Sequence, residues 1–338
     1  MGASTLEDLD DGLGGHDLPS LTLWVCKRLA LSVFILLGVS ILVFAATQAL
    51  PGDPARQILG HAASQSQLVA LRHELGLDRP LLSQYAHWIG DLLSGSAGTS
   101  LATRESVSSV ISGRGMNSLA LVVCSAGVAI PLSLLLGTAA AVRRDRPFDH
   151  ASQIVLLVLT ALPEFVIGLG LLLLLATSVF SALPAVALIP PGESAFGHLS
   201  ELALPVMTLV LAVVPYLARL QRAAMIDVLD SEYVQMARLK GVRERSVIRR
   251  HALRNSIVPI VQGSALTLIY LTGGIVTIEY LFAFPGLGSA LAAGVQSRDL
   301  PVVQAIVLLF AASYVVFNLL ADVLTIYASP RLRTRFRR

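Results

Sequence analysis

Charged side chains are scarce in this 338-residue chain: Asp, Glu, Lys and Arg make up 14% of it, whereas hydrophobic residues make up 54%. A soluble domain carries about 25% charge. There is too little polar surface here to solvate a globule of this size, so the chain reads as a polytopic membrane protein. Lysine is scarcer still, with only Lys27 and Lys240. They follow Cys26 and Leu239, not the glycine that a phosphate-cradling Gly-Lys-Ser/Thr loop needs, which excludes nucleotide binding of that kind by this chain. Cysteine is confined to Cys26 and Cys124. Two thiols on different elements give neither a disulfide framework nor a metal-ligand spacing, and buried inert thiols are the plain reading. His73-Glu74 opens like a zinc-protease signature, but Leu77 stands where the second His belongs, and no Gly-x-Ser-x-Gly nucleophile turn occurs. The sequence therefore presents no catalytic residues, no metal site and no cofactor bound by the chain itself. Its net charge is only +3, and the basic residues fall in a few loops, which marks membrane topology and not a nucleic-acid footprint.

What is abundant is long apolar runs. Six spans are expected, over about 29–50, 117–142, 152–180, 204–220, 257–282 and 302–327. The fold class is an all-α membrane protein. By region, 1–22 is an acidic, disordered cytoplasmic tail, 23–50 the first span, 51–116 an extracellular excursion, 117–330 a core of five spans, and 331–338 a basic tail. Lys27-Arg28, Arg143-Arg144 with Arg146, the stretch from Arg219 to Arg254 and the C-terminal arginines fall on one side if the spans alternate. The 181–203 loop has no Lys or Arg. Both termini are then cytoplasmic. Within the excursion, 67–76 and 81–93 suit short amphipathic helices. Tyr85 and Trp88, three apart, share a face of the second one. That helix is either a floor for an extracellular partner or a lid lying on the lipid surface.

Between the fourth and fifth spans lies a basic segment, 231–259, holding Arg238, Lys240, Arg243, Arg245, Arg249, Arg250 and Arg254. About two helical turns from Glu232 to Leu239 are expected, stopped by Gly241, which supplies the positive φ of a tight turn. A second helix is expected over 244–255. Ala237 is small enough to let another protein's surface approach the backbone. Val234, Ala237 and Val242 are interleaved with the charges, which a merely solvated anchor would not need. A helix–turn–helix on the membrane face can act as a rigid lever.

This segment resembles the EAA loop of ABC importer permeases, in particular the oligopeptide/dipeptide/nickel permease family. The resemblance rests on Tyr233-Val234, Ala237-Arg238-Leu239-Lys240-Gly241, and Arg250-His251-Ala252-Leu253-Arg254-Asn255 with Pro259. It runs along nearly the whole chain, through Leu50-Pro51-Gly52-Asp53-Pro54, Leu75-Gly76-Leu77-Asp78-Arg79-Pro80 with Gln84-Tyr85, Glu279, Phe284-Pro285-Gly286-Leu287-Gly288, Arg298-Asp299, and Asn318 with Asp322. Departures stand at Arg114-Gly115-Met116-Asn117-Ser118, where the family has Leu-Pro-x-Thr, and at Gln235-Met236, where it has Arg-Thr. The resemblance implies half of a translocation pathway, paired with a second homologous permease. Two cytoplasmic ATPases carry ATP and Mg, and an extracellular binding protein delivers cargo. On that basis Glu232, Tyr233, Ala237, Lys240 and Gly241 are the ATPase-coupling residues of an alternating-access machine. Peptides are the expected cargo, with nickel complexes, glutathione, opines and sugars as alternatives.

Three groups inside or beside the spans stay open between two roles. Glu164, after Pro163, is costly at membrane depth; it either faces the conduit and meets a cationic or amine group, or pairs with a polar neighbour. Asn318 and Asp322, four apart on one face, are pathway candidates or interhelical links. Phe284, Pro285, Gly286 and Gly288 form an outer gate or binding-protein seat, or a simple reversal. An ion-coupled secondary transporter is the main rival, and would favour paired polar groups at unwound midplane helices.

Overall fold

The computed structural model describes residues 21–49, 54–59, 63–74, 76–177, 180–190 and 192–328. The acidic stretch 1–20, Leu50 to Asp53 and the basic tail lie outside them. Among the described residues the chain is helical, in the order α1 (Leu21–Ala49), α2 (Pro54–Leu59), α3 (Gln65–Glu74), α4 (Leu81–Leu93), α5 (Val107–Val142), α6 (Pro147–Ala161), α7 (Glu164–Leu172), α8 (Leu199–Leu229), α9 (Glu232–Leu239), α10 (Glu244–Ser246), α11 (Leu253–Leu281), α12 (Leu287–Ser297) and α13 (Leu300–Ala328). Five stretches are long and apolar enough to cross a membrane: Cys26–Ala49, Val107–Val142, Leu199–Leu229, Glu244–Leu281 and Leu300–Leu324. The pair α6 and α7, bent by 104° at its break, makes a sixth when its two halves are counted as one span.

That bend corrects the expected unbroken third span, and its cause is local. Pro163 has no N–H to donate and bars the helical conformation at the residue before it. Leu162 is accordingly extended (φ −93°, ψ 130°). Glu164 is therefore the first residue of α7, not a mid-helix residue. Two further boundaries differ from expectation. α5 begins at Val107, ten residues early, because Ser106 caps it by accepting the Ser109 N–H. The 244–255 segment is no separate helix: α10 runs through a π-helical turn, Val247–Ala252, into α11, so one rod leads from the basic arm across the membrane.

The core is the contact of α5, α8 and α11, filled by Leu121, Leu209, Leu217, Leu271, Ile275, Ile278 and Phe282. α5 meets it with small buried residues at helical spacing: Ser118, Ser125, Ala126, Ala129, Ser133, Gly137, Ala140 and Ala141. Such a face lets helix backbones approach closely where lipid supplies no hydrophobic drive between helices. α1 stands aside, antiparallel to α13. Arg28 pairs with Asp322 (2.9 Å) near one end, and Gln304 Nε2 donates to Thr47 Oγ1 (2.7 Å) near the other. The shared face of Tyr85 and Trp88 on α4 packs against Phe44 of α1, with ring centroids 5.4 and 6.0 Å away, and the Tyr85 and Ser40 hydroxyls bond at 2.7 Å. α4 is thus clamped to the first span by its aromatic side.

Candidate functional site: the basic arm and its bracing

α9 projects from the basic end of the bundle on a short arm. Its inner face buries Val234 and Ala237 against Val247, with Val228, Leu229 and Val242 around them. The small side chain of Ala237 is thus taken up by packing within the chain. Tyr233 holds the flank. Its hydroxyl donates to the His251 carbonyl (3.2 Å) and accepts from Asn255 Nδ2 (2.8 Å). On the other flank Arg238 makes a two-pronged pair with Glu244, at 3.2 and 2.8 Å. The Glu244 carboxylate pushes the guanidinium pKa further up.

The helix closes as the glycine suggests. Gly241 has φ +75°; the Val242 N–H reaches back to the Ala237 carbonyl (3.2 Å) and the Gly241 N–H to the Arg238 carbonyl (2.9 Å). That is a Schellman closure, with Val242 against Ala237 as its apolar contact. The outward ridge of α9 then consists of Glu232, Gln235, Met236, Leu239 and Lys240, all exposed. Met236 is 55% and Leu239 81% accessible. Two large apolar side chains at the tip of a braced, charged arm make a surface suited to a groove in another protein.

The arm is bolted to the bundle by groups that sequence reasoning passed over. Arg222 of α8 donates through Nε and Nη2 to the two oxygens of Asp149, at 2.7 and 2.6 Å. Asp149 is buried in the first turn of α6 and also accepts the Asp145 N–H (3.1 Å). Arg144 pairs with Asp230 (3.0 Å) at the root of α9, and Arg219 Nη2 reaches Thr160 Oγ1 (3.2 Å). These bonds tie the α5–α6 loop to the C-terminal end of α8 beside the root of α9, and α8 to α6. The available signal was an Asp just before the expected start of one span and an Arg just past the expected end of another.

At the opposite end the Phe284–Gly288 turn is a buried reversal. Phe284 is in the core, and Gly286 and Gly288 are buried too. The turn wraps the carboxylate of Glu279, which accepts from Ser118 Oγ (2.6 Å), the Gly288 N–H (2.6 Å) and the Ser289 N–H (3.2 Å). A Cβ on Gly286 would collide with that carboxylate. Ser118 also accepts the Leu287 N–H (2.8 Å), and Asn117 bridges the Pro285 carbonyl (3.1 Å) to the Ala195 N–H (3.0 Å). Asn117 and Ser118, which stand where the resembled family differs, are thus the residues that fasten this turn. Only Pro285 of the four outer candidates borders open space, a cavity of about 420 Å³ that Arg114 and Asn117 also line. Of the remaining candidates, Asp322 holds α13 to Arg28, Asn318 is half-buried on the same helix, and Glu164 accepts a hydrogen bond from the Tyr270 hydroxyl.

An all-helical membrane bundle with a bent span and an exposed two-turn helix, braced at its basic end, is the build of a transport permease. The chain belongs to the family described as binding-protein-dependent transport system inner membrane component, whose model matches residues 130–334; the model for the N-terminal part of the same component matches 21–121. It is a multi-pass inner-membrane permease of the ABC importer class. It is similar to a protein of Brucella abortus (strain 2308) named as a peptide transport system permease, at 36% identity over 93% of this chain and 99% of that one. It is also similar to the glutathione transport system permease protein GsiC, at 37% identity in Salmonella choleraesuis (92% and 98% covered) and 38% in Escherichia coli O6:H1 (92% and 98% covered).

Proposed function

We propose that this permease carries short peptides inward, as half of a translocation pathway completed by a second, homologous permease. Two ATPase subunits, holding ATP and Mg, seat the α9 ridges, and an external binding protein delivers the cargo. Glutathione, itself a tripeptide, falls within the class; nickel complexes and opines are the alternatives. The observation that carries the reading is the ridge: Met236 and Leu239 are exposed on a helix whose other flanks are fixed by Val234, Ala237, Tyr233 and Arg238. A mobile loop would not transmit force, whereas α9 is braced against α10 and the π-helical turn that lead into α11. The basic end then faces the cytoplasm, with both termini on that side. Glu164, Asn318 and Asp322 belong to or edge the moving wall of the pathway, and the cavity beside Pro285 receives cargo from outside.

The test is reconstitution of the chain with its partner permease, ATPases and binding protein in proteoliposomes. ATP-dependent uptake of labelled di- and tripeptides is expected, with Gly241→Pro abolishing uptake and binding-protein-stimulated hydrolysis while the protein still inserts. Uptake that persists without ATP, or an ATPase that fails to bind the complex, overturns the reading in favour of an ion-coupled carrier.

A further inference from the structure

Tyrosine in membrane proteins gathers at the two interfaces, where its ring is apolar and its hydroxyl wet. Here three tyrosines stand near the middle of three different spans and are about half accessible: Tyr216 of α8 (47%), Tyr270 of α11 (50%) and Tyr314 of α13 (48%). They share one surface. Tyr270 and Tyr314 border a cavity of about 520 Å³ together with Glu164, Thr272, Gly273 and Phe310. Tyr270 also borders a second cavity, of about 260 Å³, with Tyr216 and Thr267. The buried Thr267 hydroxyl has no hydrogen-bond partner among the described residues. An ionisable side chain, three phenols and an unpaired hydroxyl would be expensive against lipid tails at this depth. These few polar groups are set in a largely apolar lining, and groups of this kind are placed at such depth where they meet water, cargo or a partner helix.

We propose that Glu164 is an amine station on this wall: a carboxylate that takes the protonated amino group of a passing peptide, with the tyrosine faces around it. The inference rests on the peptide-import reading and names the feature of the cargo that the permease itself recognises. Glu164 accepts from the Tyr270 hydroxyl, which fixes its direction at the start of α7. Among the described residues no Lys, Arg or His forms an ion pair with it. A carboxylate so placed lacks a cation, and an ammonium group supplies one. Tyrosine faces add cation–π attraction once water is partly excluded. Because Pro163 breaks the span immediately before it, the station sits at the joint where the bent α6–α7 pair can swing.

Gly273 gives the test a probe position, since a side chain there meets nothing within 4 Å. Gly273→Cys is introduced into the assembled transporter with Cys26 and Cys124 replaced. Its labelling rate is measured with cationic and anionic methanethiosulfonates of equal size. The cationic reagent is expected to react faster by about tenfold beyond the intrinsic ratio, the effect of one charge in a partly screened site. Glu164→Gln should collapse that preference, and Glu164→Asp should retain it. A peptide with a free amino terminus should protect the thiol, and its N-acetylated form should not. A thiol that neither reagent reaches places this face against the partner permease or lipid and overturns the proposal, as does a preference that survives Glu164→Gln. The charge preference is read without cargo, so it decides the station independently; absence of ATP-dependent peptide uptake by the unaltered transporter would overturn the peptide reading instead.

Discussion

The two ends of the bundle are held by opposite chemistry. At the basic end the bolts are pairs of full charges with one or both partners partly wet: Arg222 with Asp149, Arg144 with Asp230, Arg238 with Glu244. At the other end the carboxylates of Glu279 and Asp299 are sealed from solvent and satisfied by neutral donors, from Ser118, Gly288 and Ser289 for the first and from Ser100, Leu101 and Ala102 for the second. The exposed pairs of Arg144 and Arg238 gain little net energy and can re-form with other partners at small cost, whereas Arg222 is anchored on the buried Asp149. A buried carboxylate cannot shed its donors without a large desolvation penalty. One end is made to re-arrange and the other to stay shut around its turn. In the proposed machine the adjustable joints lie beside α9, where an ATPase would engage.

The contrast can be broken most sharply at Glu279. Replacing it with Gln points an amide N–H₂ into a ring of donors, or leaves one donor bare, for a loss of about 3 kcal/mol. The expected outcome is a protein that melts earlier in detergent and accumulates poorly in the membrane; normal thermal stability of Glu279→Gln would show that the sealed socket carries no weight. Next in size is Asp149→Asn, which leaves Arg222 half-paired in a largely buried place and should cost about 2 kcal/mol. Its signature is functional: uptake should fall more than ATP hydrolysis, because α8 no longer drags α6. Restoration of the uptake-to-hydrolysis ratio by the charge swap Asp149→Arg with Arg222→Asp would sharpen the assignment. Gly241→Ala should follow, at about 1 kcal/mol for a side chain held at positive φ, read as a several-fold loss of uptake with the melting temperature of the whole bundle barely moved. Leu239→Ser should leave the isolated permease as stable as before while weakening co-purification of the ATPase. Smallest is Arg144→Ala: an exposed pair of this kind contributes well under about 1 kcal/mol, so melting should be unaltered within error, and a large change would mean the basic end is as rigid as the other.

Much of this arrangement was legible in the sequence, and the gaps have physical reasons. The spans show because an apolar run of their length has no other stable home, and α9 shows because a terminating glycine and interleaved valines are strong local signals. Which way Ala237 faces does not show: in a two-turn helix the inward and outward registers differ by a residue or two, and only contact with Val247 decides. The early start of α5 was hidden because Arg114 and the serines before it look like loop by composition, although Ser106 is a ready N-cap. The broken third span was hidden inside a continuous apolar run, with Pro163 as the one sign. Glu279 was visible as a residue of the resembled pattern, yet its role emerges only when Ser118, distant by 161 residues in sequence, closes over it.

The embrace of α1 by α13 bears on how the protein is made. A ribosome delivers α1 first and α13 last, yet Thr47 meets Gln304 and Arg28 meets Asp322 only across that whole interval. The opening span must wait in the lipid, held meanwhile by α4 through Phe44, Tyr85 and Trp88. The final helix then fastens the first, so a nascent chain cut short before α13 would carry an unclosed seam that membrane quality-control proteases could recognise.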